Sequence, residues 1–273
     1  MESKNRGVWV FVAVVAVLSL VGCCALALFG AVGVPALVRW FPENVRRMEL
    51  HGLDGEITEQ MEETFEVGSS PKVVVSSFAG SVQVRAGAEG EVKVVATKYA
   101  DQGGDLDDIE LEMQAQGARV EITARPRHTT GNRWVEFVIT VPAETDLDLR
   151  TGAGAVEVRG IRGDLEADAG AGGIEIKGAE GPARLVAGAG GIDYEGRPTG
   201  QSTFRVGAGG ITLRLPPDAD VQVDLSAGLG GVSSQLLVTG RVTRHAIHGT
   251  IGTGEKGSVS ATAGVGGIDL VRK

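Results

Sequence analysis

The sequence predicts an all-β protein whose C-terminal part is a parallel β-solenoid, with two short strands in each coil of about 18 residues. The first observation is a glycine-rich phrase followed by an apolar–polar–apolar triplet, as in GAGGIEI at residues 170–176. Copies of the phrase begin at Gly152, Gly170, Gly188, Gly207, Gly228 and Gly264. Their starts are 18, 18, 19, 21 and 36 residues apart, and a repeated spacing of this kind is typical of repeat architectures.

The second observation is an alternation of apolar and polar residues that precedes each glycine phrase. Leu165, Ala167 and Ala169 alternate with Glu166 and Asp168, which is the pattern of a strand with one buried face. The alternation recurs at residues 147–151, 183–187, 202–206, 223–227 and 259–263. Glycine suits the corner between two strands, where φ turns positive or backbones approach closely. An antiparallel sandwich of hairpins is the alternative, and the regular spacing favours the solenoid.

Composition and charge exclude several classes of protein. The chain has 273 residues, 42 of them glycine, and aromatic residues make up only 4%, so a large aromatic core is excluded. A net charge of −9 argues against a nucleic-acid partner. Cys23 and Cys24, the two cysteines, are adjacent in an apolar run and form neither a disulfide framework nor a zinc site.

The N-terminal segment predicts a membrane anchor. Residues 8–38 contain no charged side chain and exceed the roughly 20 residues that span a bilayer as a helix. We expect residues 1–7 to form a short inner tail and the β region to be extracytoplasmic, although Arg39 and Arg46 argue for the opposite orientation. A cleaved secretory signal is one alternative. The other is a lipoprotein, because LVGC at residues 20–23 matches a lipobox and would make Cys23 the lipidated residue.

Between the anchor and the repeats the sequence predicts two further segments. Residues 39–63 are polar and read as a juxtamembrane linker, and the acidic stretch 56–66 as a helical turn or part of that linker. Residues 64–150 contain β-branched, alternating runs and predict an N-terminal β region. It lacks the Gly-Ala-Gly corner, and we expect it to shield the first coil of the repeats at 151–273. Residues 235–249 break the period and predict a protruding coil or loop.

The chain resembles the putative adhesin family of bacterial domains of unknown function over residues 64–273. The resemblance rests on the glycine repeats together with the segments TFEV (64–67), PKVVV (71–75), VKVVATK (92–98), VPAETDL (141–147), GTIG (249–252) and AGVGGI (263–268). Family members commonly have Asn-Gly or Ser-Gly-Asp at the corner, where this chain has Ala-Gly-Gly. The resemblance implies a β-solenoid-like fold that is often anchored to a membrane, with no established enzymatic residues.

One cluster in the sequence is a candidate ligand loop for an anionic glycan or a lipid headgroup. It is formed by Arg125, Arg127, His128, Arg133 and Trp134, basic and aromatic residues on an acidic chain. A polar hairpin loop is the alternative interpretation. The acidic run 101–110 predicts a solvated loop rather than a calcium site.

Two further motifs predict no chemistry. GTGEKGS at 252–258 fits G-x-G-x-x-G but no helix follows, so it predicts a turn. His245 and His248 lack a third ligand and predict exposed side chains. From these residues we expect no catalytic residue, no metal and no cofactor.

The leading functional hypothesis is a non-enzymatic, membrane-anchored β-solenoid that presents an adhesion or interaction surface in the bacterial cell envelope. We expect its partners to be the membrane and an envelope protein or glycan. One alternative is a polysaccharide-active enzyme on a β-helix, with Arg127 among its functional residues. The other is a structural module that self-associates through unpaired strands at residues 268–271.

Overall fold

The computed structural model describes residues 46–51, 57–101, 105–128 and 131–273. Within these ranges no helix is both long and apolar enough to cross a membrane. The predicted anchor at 8–38, the tail at 1–7 and Cys23 lie outside the described residues. The all-β prediction is confirmed for the described residues, whose regular secondary structure is strand apart from one short 3₁₀ turn at Leu106–Asp108.

The described residues form 22 strands. The first eight precede the repeats: β1 Arg46–His51, β2 Ile57–Glu66, β3 Lys72–Ser77, β4 Val82–Ala86, β5 Glu91–Ala100, β6 Ile109–Gln116, β7 Arg119–Pro126 and β8 Arg133–Val141. The repeats begin with β9 Asp146–Ala153, β10 Val156–Arg159, β11 Leu165–Ala171, β12 Ile174–Gly181, β13 Ala183–Ala189, β14 Ile192–Pro198, β15 Gly200–Ala208 and β16 Ile211–Leu215. The last six are β17 Val221–Leu229, β18 Val232–Ser234, β19 Thr239–Val242, β20 Ala246–Ile251, β21 Gly257–Val265 and β22 Ile268–Arg272.

The strands form two mixed sheets of eleven strands each. Sheet A has the order β1-β2-β5-β8-β4-β10-β12-β14-β16-β22-β18. Sheet B has the order β19-β20-β17-β21-β15-β13-β11-β9-β3-β7-β6. Each glycine repeat therefore contributes one strand to each sheet, with the corner between them. Strands of neighbouring repeats pair in parallel, whereas antiparallel pairs occur only towards the ends of the sheets.

The parallel register follows the repeat spacing. Leu165 of β11 lies beside Leu147 of β9 on one side and beside Ala183 of β13 on the other. The side chains that the alternation places inside are all buried: residues 147, 149, 151, 165, 167, 169, 183, 185, 187, 202, 204, 206, 223, 225, 227, 259, 261 and 263. They are mostly small or medium-sized, so the two sheets enclose a thin core.

The glycine corners stack on one another so closely that a side chain would not fit. Gly172 has φ of +144°, and a Cβ built on it would lie 2.0 Å from the carbonyl oxygen of Gly154. A Cβ on Gly154 would in turn lie 2.1 Å from the carbonyl oxygen of Gly80. Gly80 therefore belongs to the same ladder, and the segment 78–80 is the first corner. Residues 64–150 lack the Gly-Ala-Gly sequence, as predicted, but Phe78-Ala79-Gly80 forms the equivalent corner because only the tightest position of the ladder requires glycine.

The N-terminal β region covers the strand edges of the first coil, as predicted, because its own strands pair with that coil and continue both sheets. β3 pairs with β9 in sheet B, and β4 pairs with β10 in sheet A, both in parallel. Residues 57–66, predicted as a helical turn or linker, form β2 instead. Two of its acidic side chains pair across the sheet, with Lys93 Nζ 2.7 Å from Glu62 Oε1 and Lys98 Nζ 3.4 Å from Glu59 Oε2. These cross-strand cations are distant in the sequence, so the local pattern did not reveal the strand.

Two further expectations, both about residues 235–271, are wrong. Residues 235–249 do not protrude as a coil, because β19 and β20 form a hairpin that pairs with β17 in antiparallel fashion and extends sheet B. Residues 268–271 are not unpaired, because β22 pairs with β16 on one side and with β18 on the other. The proposed basis for end-to-end polymerisation is therefore absent at this strand.

Candidate binding surface

The outer face of sheet A carries a row of acidic side chains. Glu157, Glu175 and Asp193 occupy the same position in β10, β12 and β14 and are neighbours in register. The neutral Thr212 of β16 interrupts this acidic row, and Asp269 of β22 continues it. Neighbouring strands are about 4.8 Å apart, so the side chains repeat at that distance. Like charges directly opposite each other are destabilising, and the row therefore needs compensating cations.

A second row with mainly basic side chains runs beside the acidic row, two residues further along each strand. Arg85, Arg159, Lys177 and Arg214 belong to this basic row, and Glu195 interrupts it between Lys177 and Arg214. Two residues along a strand bring the side chain back to the same face. The face thus presents two parallel lines of opposite charge.

The two rows neutralise each other through ion pairs. Arg159 Nε donates to Glu157 Oε1 at 2.6 Å, Lys177 pairs with Glu175, and Arg214 pairs with Asp193. The hydrogen bond from Lys177 lowers the pKa of Glu175. Exposed ion pairs of this type contribute at most about 1 kcal/mol each. These ion pairs hold the charges in defined positions. Because each pair contributes so little, replacing it by an interaction with a ligand would cost little free energy.

Two further polar contacts involve residues of the rows. Lys273 Nζ lies 2.8 Å from Glu195 Oε1, and this hydrogen bond lowers the pKa of Glu195. Ser233 of β18 donates to Asp269 Oδ1 at 2.6 Å. The acidic row therefore extends to β22, whereas the basic row ends at Arg214, beside Val271 of β22.

The outer face of sheet B also bears ion pairs, but no continuous row of one sign. Arg150 Nε lies 3.1 Å from Asp148 Oδ1, and Arg184 Nε lies 3.3 Å from Glu166 Oε1. Thr203 and Ser260 continue the line of Glu166 and Arg184 without charge. Among the residues with described positions, no group of three or more His, Cys, Asp or Glu side chains could hold a metal ion.

The residues of the candidate ligand loop lie together around the β7–β8 connection but differ in their exposure to solvent. Arg125, Arg127 and His128 are exposed, whereas Arg133 is buried at the start of β8. Arg133 pairs with Asp108, and its Nη2 donates to the carbonyl oxygen of His128 at 3.0 Å. Arg133 therefore stabilises the loop rather than presenting its charge to a ligand.

The aromatic member of this loop also has an internal partner. The ring of Trp134 stacks on that of Tyr99 with centroids 5.1 Å apart and planes 4° apart. The Tyr99 hydroxyl in turn donates to Glu136 Oε2 at 3.3 Å. The acidic run nearby is ordered by a local contact. Asp105 caps the 3₁₀ turn by accepting a hydrogen bond from the backbone N–H of Asp107.

The two remaining sequence motifs have structural roles. His245 Nδ1 lies 2.8 Å from the carbonyl oxygen of Gly230, and His248 Nδ1 lies 2.9 Å from Asp224 Oδ1. Both side chains are exposed. Residues 252–256 form the turn between β20 and β21, as the sequence predicts.

The basic row was missed by sequence reasoning although its signal is present. Each acidic residue of the first repeats is followed two positions later by a cation, in Glu157-Val158-Arg159 and Glu175-Ile176-Lys177. Reading the repeats for period-two charge as well as for period-two hydrophobicity would have identified it.

No protein-family model and no curated protein matches the sequence. Two solved structures are similar. One is a putative cell adhesion protein from Clostridium sporogenes, with 17% identity and a TM-score of 0.44 over 78% of this chain and 99% of that protein. The other is a putative adhesin from Bacteroides fragilis, with 12% identity and a TM-score of 0.41 over 78% of this chain and 97% of that protein. Both TM-scores are below 0.5, so neither likeness bears on the fold or the function of this chain.

Proposed function

We propose that this protein is a non-enzymatic binding protein of the bacterial cell envelope, with a membrane anchor at residues 8–38 and an extracytoplasmic β region. In this proposal the repeats at 151–273 form a β-solenoid whose outer sheet A face is the interaction surface. The single observation that carries it is the pair of registered charge rows on that face. Extended repeat surfaces of this kind are used to bind extended partners.

The geometry of the rows favours a partner that is itself extended and charged. Glu175 and Asp193 repeat at the strand spacing, and Lys177 and Arg214 lie on the same face. An envelope protein or a charged glycan with regularly placed groups could replace these intramolecular ion pairs one by one. Binding would then depend on salt, because exposed charges are screened within about 10 Å at 0.1 M ionic strength.

The test compares two variants that remove the same number of ion pairs from opposite faces. The first changes Glu175→Gln, Lys177→Gln, Asp193→Asn and Arg214→Gln on sheet A. The control changes Asp148→Asn, Arg150→Gln, Glu166→Gln and Arg184→Gln on sheet B. Neither alters the net charge, and exposed pairs contribute little to stability, so both variants are expected to fold.

The full chain, reconstituted in lipid nanodiscs, is incubated with isolated bacterial envelope fractions at increasing salt, and bound protein is measured by sedimentation. We expect salt-sensitive binding that the sheet A variant loses and the sheet B control retains. Absence of binding at the lowest salt, or equal binding by both variants, would overturn the proposal.

The anchor itself is tested separately. Intact mass spectrometry of the membrane-extracted chain distinguishes a retained N-terminus from a mature chain that begins with lipidated Cys23. A mass equal to that of residues 1–273 supports the uncleaved span.

A further inference from the structure

The last repeat occupies a position in the stack that differs from its position in the sequence. β21 lies between β15 and β17 in sheet B, and β22 lies between β16 and β18 in sheet A. In the sequence the repeat of β17 and β18 follows that of β15 and β16, but in each sheet the two are separated by the width of one strand. The C-terminal residues 257–273 then return to fill the space between them, which we call the acceptor groove.

The acceptor groove is lined by apolar side chains and unsatisfied strand edges when the C-terminal segment is absent. Ala261 of β21 lies beside Phe204 of β15 and Leu225 of β17, all of them buried. Ile268 of β22 lies beside Ile211 of β16 and Val232 of β18. The segment thus completes two sheets and the core at once, and its own register matches both walls of the groove.

We infer that residues 257–273 are an exchangeable element that also fills the acceptor groove of a second copy of this chain, giving strand-exchanged dimers. The partner is a second copy because its C-terminal segment has the same sequence and makes the same pairs with β15, β16, β17 and β18. Exchange of an identical element needs no new interface, since the contacts within one chain and between two chains are equivalent. The balance between them depends on the hinge and on protein concentration.

The connection between β20 and β21 has the properties of such a hinge. It comprises residues 252–256, and Gly252 and Gly254 both have positive φ, +68° and +78°. One side chain holds it in place: Asp220 accepts hydrogen bonds from Gly254 N at 2.5 Å and from Thr253 Oγ1 at 2.9 Å. Short hinge loops of this kind are where domain exchange arises.

The experiment traps a C-terminal segment in the groove of another copy of the full chain. Arg205 of β15 and Thr262 of β21 are exposed neighbours in register, so one copy carries Arg205→Cys and the other carries Thr262→Cys. Cys23→Ser and Cys24→Ser are present in every copy so that only the introduced thiols react. The two copies are mixed, unfolded and refolded together in detergent at high concentration, and then treated with a short bis-maleimide.

Two controls make the result interpretable. A single chain with both Arg205→Cys and Thr262→Cys must be cross-linked internally, which shows that the geometry permits the reaction. A mixture of Arg205→Cys with Val186→Cys, equally close neighbours on β15 and β13, tests association without C-terminal exchange.

We expect cross-linked dimer from the Arg205→Cys and Thr262→Cys mixture, increasing with protein concentration, and only background from the control mixture. Internal cross-linking in the single chain without any dimer in the mixture would overturn the inference. Equal amounts of dimer in the two mixtures would also overturn it, because the copies would then associate by another surface.

Discussion

The hydroxyl oxygen of Tyr194 lies 2.7 Å from the position that a Cβ on Gly196 would occupy. Tyr194 is fully buried, and its ring packs against that of Phe204 with centroids 5.0 Å apart and planes tilted by 58°. Within the described part of the chain its hydroxyl has no hydrogen-bond partner. Burial, with a smaller contribution from the carboxylate of Glu180, raises the pKa of Tyr194, so the side chain stays neutral. The large side chain of Tyr194 is thus accommodated because Gly196, two residues away, has no side chain.

Removing the Tyr194 hydroxyl is expected to stabilise the protein. A buried hydroxyl without a partner costs about 1 kcal/mol or more, so Tyr194→Phe should raise the free energy of unfolding by about 1 kcal/mol. The matched control is Tyr99→Phe, whose hydroxyl donates to Glu136, and which should lower it by about the same amount. Urea unfolding followed by circular dichroism measures both. A destabilised Tyr194→Phe variant would show that this hydroxyl is satisfied in solution, for example by a buried water.

The converse change at Gly196 is expected to destabilise. A Cβ there would lie 2.4 Å from the carbonyl oxygen of Ala179 as well as against the Tyr194 ring, so Gly196→Ala should cost about 1–3 kcal/mol. Combining it with Tyr194→Phe relieves only the contact with the hydroxyl, because the clash with the backbone of Ala179 remains. The double variant should therefore recover only part of the loss in the same unfolding experiment. Full recovery would contradict the backbone clash.

The stacked glycine corners predict very different losses of stability when two adjacent glycines are replaced by alanine. Gly172 has positive φ and faces the carbonyl oxygen of Gly154, so Gly172→Ala should cost at least about 2 kcal/mol. At Gly173 the nearest atom to a Cβ is 3.6 Å away, and Ala155 occupies the equivalent position of the preceding repeat. Gly173→Ala should therefore change stability by no more than about 0.5 kcal/mol. Thermal unfolding of the two variants measures the difference, and equal effects would show that the ladder is not the constraint.

How far the sequence predicts this fold depends on which relationships are local. The buried rows and the parallel register follow from the 18-residue spacing, because strand alternation and repeat length together place Leu165 beside Leu147. The spatial order of the repeats does not follow from the sequence, since strands with the same alternation and a similar length can pair with one another in any order. The step of 36 residues between Gly228 and Gly264 was compatible with an omitted coil. Only the structure shows that the last rung returns between two earlier ones.

The candidate site divides in the same way. The acidic row could be predicted, because Glu157, Glu175 and Asp193 recur at one position of the repeat. The burial of Arg133 could not, because its partner Asp108 lies 25 residues away on another connection. From the charge pattern of the sequence alone, Arg133 was expected to be available to a ligand. The structure leaves Arg125 and Arg127 as the exposed cations of that loop.

Acidification is expected to weaken the hold on the C-terminal segment through Asp220. Burial alone would raise the pKa of Asp220, but hydrogen bonds from the Thr253 hydroxyl and from the N–H groups of Gly254 and Glu255 outweigh it and lower the pKa below its ordinary value. A carboxylate with a lowered pKa in the folded state contributes stability above its unfolded pKa. That contribution is lost as the pH falls through the lower, folded value.

The variant Asp220→Asn cannot titrate, so its stability deficit relative to the native chain should shrink as the pH falls from about 7 to about 3. The unfolding midpoint measured across this range provides the comparison. Asp168→Asn on the outer face of sheet B controls for the loss of one exposed carboxylate. A deficit of Asp220→Asn that stays constant down to the lowest pH would mean that the hydrogen bonds to Thr253 and Gly254 do not depend on the charge of Asp220. The hinge would then be held by the shape of the turn rather than by its carboxylate.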